Sequence, residues 1–135
     1  MNSRLTKHSK ILNIHHLDLD GVGCSIVLGN VFDQKNIEYR SAKYSDIDSI
    51  LKTTSYDKYD FVILTDISPT DPDLINISDK IILLDHHDTS LALHDPDNFH
   101  VVVAGECGTV LTRKFCEKVF DINLSYLDDL VMLIN

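Results

Sequence analysis

Two short apolar runs, Asp60-Phe61-Val62-Ile63-Leu64-Thr65-Asp66 and Lys80-Ile81-Ile82-Leu83-Leu84-Asp85-His86-His87, leave this chain few folds to choose from. Neither run alternates between apolar and polar residues. Each therefore fits a strand covered on both faces, and such strands belong to parallel sheets flanked by helices. Residues 11–16 read as a strand before them, 37–44 as a second strand, and 99–104 as a fifth. Between the first two strands, Val22, Ile26, Val27 and Val31 recur at helical spacing within 21–34. Residues 45–54 make a short helix with Ser45 or Asp46 as N-cap and Ile47, Ile50 and Leu51 facing inward. A turn-rich segment, 68–73, separates the two apolar runs, and helices over 106–120 and 124–135 close the chain. The expectation is an α/β domain spanning 1–135: a doubly wound, mainly parallel five-stranded sheet with helices on both faces.

In such sheets ligands bind outside the carboxyl ends of the strands. The polar clusters of this sequence fall there: His16, Asp18 and Asp20 after the first strand, Asp66 after the third, Asp85-His86-His87 after the fourth. Extended backbone through Asp20 would set His16, Asp18 and Asp20 on one side and His15 on the other. Unpaired carboxylates gathered in a core are costly, whereas imidazole and carboxylate oxygen together suit a divalent cation.

Composition narrows the partners. With 12 basic against 21 acidic side chains the formal charge is −9, which disfavours a surface that tracks the phosphates of long duplex nucleic acid. Cys24, Cys107 and Cys116 form neither a disulfide framework nor a C-x-x-C site, so they read as buried small hydrophobes in a reducing, cytoplasmic protein. No signal-peptide core or membrane-length apolar run is present, and no membrane partner is expected. His8, His94 and His100 read as surface residues, and the tyrosines, Tyr44 among them, show no spacing that would make a base-stacking platform.

The motifs His16-Leu17-Asp18-Leu19-Asp20-Gly21, Leu64-Thr65-Asp66-Ile67-Ser68, Leu84-Asp85-His86-His87 and Gly105-Glu106-Cys107-Gly108-Thr109 follow strands in this order. In them the chain resembles the DHH phosphoesterases, over nearly its whole length, and most nearly the small oligonucleotide-degrading members called nanoRNases. The resemblance implies a hydrolase for phosphodiester bonds in short oligonucleotides or small nucleotides, working with two divalent ions. These are usually Mn2+, with Mg2+ or Co2+ as substitutes. It implies that His16, Asp18 and Asp66 hold one ion and that Asp20, Asp66 and His86 hold the other, with Asp66 bridging. His87 would stand near the phosphate, Asp85 would support the histidines from behind, and the turn carrying Gly105, Gly108 and Thr109 would offer backbone N–H groups to a phosphate oxygen. As an ordinary reading, that turn is a helix cap. Two ions about 3.5–4 Å apart activate a water and stabilise both the attacking and the leaving oxygen at phosphorus.

The sequence departs from the family where members usually continue into a further aspartate and a second, substrate-holding domain. It ends at Asn135, and Asp128 and Asp129 read as the start of a helix. With three carboxylates for two ions, the site on the Asp20/His86 side should be the weaker. The expectation is a first domain, slow unless a second domain or a partner copy in a homodimer closes the cleft. A catalytically incomplete domain that binds metal or nucleotide is the alternative. Asp18-Leu19-Asp20-Gly21-Val22 also resembles the nucleophile motif of haloacid-dehalogenase-like phosphatases, but the lysine that chemistry wants at a later strand end is missing. The same lysine is missing for a phospho-receiver domain, and no G-x-x-x-x-G-K-[ST] run exists for a P-loop.

Overall fold

The five strands form one parallel sheet in the order β2-β1-β3-β4-β5, seen in a computed structural model that describes residues 4–134. Met1–Ser3 and Asn135, which the expected domain and its last helix include, lie outside the described residues. The elements are β1 (Ile11–His16), α1 (Leu19–Gly29), β2 (Ile37–Ala42), α2 (Ile47–Thr53), β3 (Phe61–Thr65), β4 (Ile81–Asp85), β5 (His100–Val102), α3 (Gly108–Phe120) and α4 (Asp128–Ile134). No helix among the described residues is long and apolar enough to cross a membrane.

Strand periodicity sorts the core into two halves. Ile11, Phe61, Ile63 and Ile82 pack under Val27, Leu28, Leu111, Phe115 and Cys116 of α1 and α3. Leu12, Ile14, Val62, Ile81 and Leu83 pack on the opposite face under Ile47, Ile50 and Leu51 of α2 and Leu74 and Ile75 of a 3-10 turn. Burial on both faces explains the unbroken apolar sequence of β3 and β4. The order reverses between β1 and β3, so the chain leaves their carboxyl ends toward opposite faces of the sheet, and the crevice between the two connections is the place where ligands of such sheets bind.

Several expected boundaries move, each for a local reason. β1 ends at His16 and α1 starts at Leu19, because the Asp18 side chain caps the helix by accepting from Gly21 N at 2.9 Å. Asp20 therefore lies in the first turn of α1, not in an extended fan with His16 and Asp18. α1 stops at Gly29, short of the expected 34, and Val22 and Ile26 stay exposed. Its buried face is Gly21, Gly23, Cys24, Val27 and Leu28, and α3 comes close at the small ones: a Cβ on Gly23 would stand 2.4 Å from Thr109 Oγ1. β2 ends at Ala42, which leaves Tyr44 in a turn above the sheet. β5 is three residues long, and its Phe99 neighbour takes a left-handed φ of 58°. The last helix begins at Asp128 after a 3-10 turn, with Asp128 and Asp129 in its first turn. His100, expected at the surface, is buried, and its Nε2 lies 3.1 Å from Ile81 O. Burial there pushes the imidazole below its ordinary value.

Candidate metal centre

Asp66 is the centre of the site. The residue follows β3 directly, is fully buried, and takes φ 61°, a left-handed conformation that aspartate tolerates at some strain. Its backbone N–H still donates to Leu84 O at 3.0 Å, so the twist lies after the sheet bond. Beneath it, Asn13 of β1 donates to Ile63 O and to Thr65 Oγ1, both at 3.0 Å, and accepts from Ser25 Oγ at 2.8 Å. This buried network ties β1, β3 and α1 together under the crevice.

Two neighbouring strand ends deliver side chains to Asp66 at the end of β3. From β4, His86 Nε2 lies 2.7 Å from Asp66 Oδ1 and 3.3 Å from Asp20 Oδ2. From β1, His16 Nδ1 lies 3.1 Å from Asp18 Oδ2 and 3.8 Å from Asp66 Oδ2. Ligand atoms of His16, Asp18 and Asp66 fall within 4.8 Å of one another, as do those of Asp66, Asp85, His86 and His87. His15 is not among them; its Nδ1 sits 2.9 Å from His16 O and its side chain lines an open groove between α1 and β2. The described structure thus brings His16, Asp18, Asp20, Asp66, Asp85, His86 and His87 to one place.

Electrostatics mark that place as short of positive charge. Among the described residues no lysine or arginine pairs with Asp18, Asp20, Asp66 or Asp85; their ionic partners are the histidines alone. Asp66 Oδ2 is buried with no hydrogen-bond partner, a costly state for a carboxylate oxygen. Burial first, then the neighbouring Asp18 and Asp20 carboxylates, push the Asp66 carboxyl up to about 10. Asp18 moves the other way: hydrogen bonds outweigh its partial burial and hold it below its ordinary value. A cation beside Oδ2 would meet the orphaned oxygen, the left-handed backbone and the charge imbalance at once, so the donor set fits a metal ion.

Asp20 and Asp85 do different work. Asp85 Oδ1 accepts from His86 N at 2.8 Å and His87 Nδ1 at 2.7 Å, while Oδ2 accepts from Ser68 Oγ at 2.5 Å and Ser90 Oγ at 3.0 Å. Four donors fill its four lone-pair sites, so although it lies within ligand distance its task is to aim the two histidines. Asp20 accepts from Gly108 N at 2.7 Å with Oδ2, and from Thr109 N at 2.8 Å and Thr109 Oγ1 at 2.7 Å with Oδ1. It caps α3 from across the domain, since Cys107 at the N-cap makes no side-chain cap bond. One Oδ2 lone pair remains, on the side of His86. The amides of Gly108 and Thr109, expected to face a phosphate, are committed to Asp20, and Gly105 sits exposed in the preceding turn.

Two glycines allow these approaches. A Cβ on Gly21 would stand 2.0 Å from His16 O, so the turn from β1 into α1 closes only with glycine there. One on Gly108 would meet Asp20 Oδ2 and Asp66 Cβ at 3.2 Å. Sequence reasoning missed Ser68, Ser90, Asn13 and Tyr44 as parts of the site. Ser68 alone had a signal, its place two residues after Asp66.

No family model matches the chain, and no curated protein does. Among solved structures it is similar to the crystal structure of an uncharacterized protein from Helicobacter pylori G27, with a TM-score of 0.71 at 24% identity. The likeness is one of fold. It covers 93% of this chain and 42% of that one, so this chain spans less than half the length of the structure it matches.

Proposed function

We propose that this chain is a metal-dependent phosphoesterase domain of the DHH type, hydrolysing phosphodiester bonds of short oligonucleotides or small nucleotides. The observation that carries the reading is the orphaned Asp66 Oδ2, buried where three strand ends bring His16, Asp18, Asp20 and His86 together. His16, Asp18 and Asp66 would hold one ion, and Asp20, Asp66 and His86 the other, with Asp66 common to both. When bound, two divalent ions, best Mn2+, would lower the pKa of water and neutralise charge at phosphorus.

The chain's own residues supply orientation. Asp85 fixes His87 through Nδ1, so its Nε2 edge is free to meet a phosphate oxygen or a leaving group. Asp66, shared by both clusters, keeps them at a fixed separation. Since the α3 amides are spent on Asp20, a phosphate would be gripped by His87 and the metal side of the cleft, not by that helix terminus.

The test is single turnover of the dinucleotide pApA in 18O-labelled water with Mn2+ present and absent. One-step incorporation of label into the phosphate monoester product, dependent on Mn2+, is the expected result. A phosphoaspartate trapped on Asp18 would point to the dehalogenase-like mechanism, and Mn2+ binding without turnover to a domain that binds metal or nucleotide only. The engagement of Asp20 by α3, which leaves the second cluster one spare lone pair, is the observation that favours that second reading.

A further inference from the structure

Tyr44 lies outside every motif, in the turn after β2, yet its ring forms one wall of the cleft. The ring centroid is 5.3 Å from that of His16 and 6.1 Å from that of His87, edge-on to the latter. The phenol oxygen lies 3.2 Å from His87 Nδ1. Which partner owns the hydrogen decides what the phenol can do.

Asp85 accepts from His86 N, Ser68 Oγ and Ser90 Oγ, the pattern of a carboxylate that orients an imidazole and not of a donor O–H. The hydrogen between Asp85 and His87 therefore sits on Nδ1, 2.7 Å from Asp85 Oδ1. A protonated ring nitrogen has no lone pair with which to accept. Tyr44 must then be a second acceptor of that N–H, and its own O–H is unspent. A phenol keeps its hydrogen across the neutral range, so that O–H stays available as a donor. Tyr44 is 40% exposed, open to whatever enters the cleft.

We propose that Tyr44 is a substrate-contacting residue whose O–H donates to a non-bridging oxygen of a phosphate ester seated beside His87. The assignment rests on the phosphoesterase reading for the ligand's class, but on the Asp85-His87-Tyr44 geometry for the donor. It gives the cleft a neutral hydrogen-bond donor on the β2 side, beside His16 and His87.

Tyr44→Phe keeps the ring against His16 and His87 and removes only the O–H, whereas Tyr44→Ala removes both. Binding of 5′-AMP to the Mn2+-loaded protein is measured by calorimetry, beside hydrolysis of pApA and thermal unfolding. Tyr44→Phe should weaken 5′-AMP binding and lower kcat/KM by about tenfold each, as expected for one hydrogen bond to a charged phosphate. Its Mn2+ stoichiometry and Tm should match wild type. Wild-type binding and turnover in Tyr44→Phe would overturn the proposal, whatever Tyr44→Ala does, because ring packing would then suffice. If wild type binds 5′-AMP but leaves pApA intact, the hydrolase reading fails and the binding arm still decides on Tyr44. If Mn2+-loaded wild type does not bind 5′-AMP, both are overturned.

Discussion

Asp66→Asn should make the metal-free protein more stable and the Mn2+-loaded protein less so. In the folded protein the Asp66 carboxyl is raised from 3.8 to about 10. Because the folded value is the higher one, the stability this group contributes is whole below about pH 3.8 and is lost as the pH climbs toward 10. By pH 7 about three units have been crossed at about 1.4 kcal/mol each, an upper bound of about 4 kcal/mol. Asp18 and Asp20 are coupled to it, so about 2 kcal/mol is the expected gain on replacing a carboxyl that must take up a proton to fold. Asparagine tolerates φ 61° as aspartate does, and its Oδ1 still faces His86. Bound metal reverses the sign: at a hundredfold excess over Kd it stabilises wild type by about 2.7 kcal/mol, which the variant should largely lose. Urea unfolding at pH 5, 7 and 9, in EDTA and in Mn2+, reads both effects. A variant less stable than wild type in EDTA at pH 9, or equally stabilised by Mn2+, would refute the reasoning.

Three further substitutions probe the supports. Gly21→Ala sets a Cβ 2.0 Å from His16 O and should cost about 2–3 kcal/mol, read as a lower Tm. Asp20→Ala leaves Gly108 N and Thr109 N without their acceptor; it should cost about 1–2 kcal/mol in urea and reduce Mn2+ stoichiometry from two to one. Asp85→Asn turns an amide N–H2 toward groups that themselves donate, and should cost about 2 kcal/mol while lowering kcat more than Mn2+ affinity.

The sheet was legible because burial on both faces removes polar residues from β3 and β4, a pattern that needs no knowledge of partners. The placing of His16, Asp66 and Asp85-His86-His87 at one edge followed from strand direction alone. What stayed hidden depends on contacts far apart in the chain. Asp20 caps a helix that begins 88 residues later, and no local pattern announces a cap supplied from another helix. Ser68 serves Asp85 from a loop and Ser90 from a 3-10 turn, and the paths of both follow only from the packed structure. Tyr44 was read as part of a strand that stops two residues earlier, and its ring reaches the cleft only because the chain turns at Lys43. His100 misled for a related reason: a polar residue on a short edge strand reads as exposed until the neighbouring Ile81 carbonyl gives it a buried partner.

Anomalous scattering from crystals grown with Mn2+ tests the central claim most directly. The account predicts two peaks about 3.5–4 Å apart, one beside His16 and Asp18, the other beside Asp20 and His86, both within bonding distance of Asp66. A single peak away from Asp66, or none at saturating Mn2+, would contradict it.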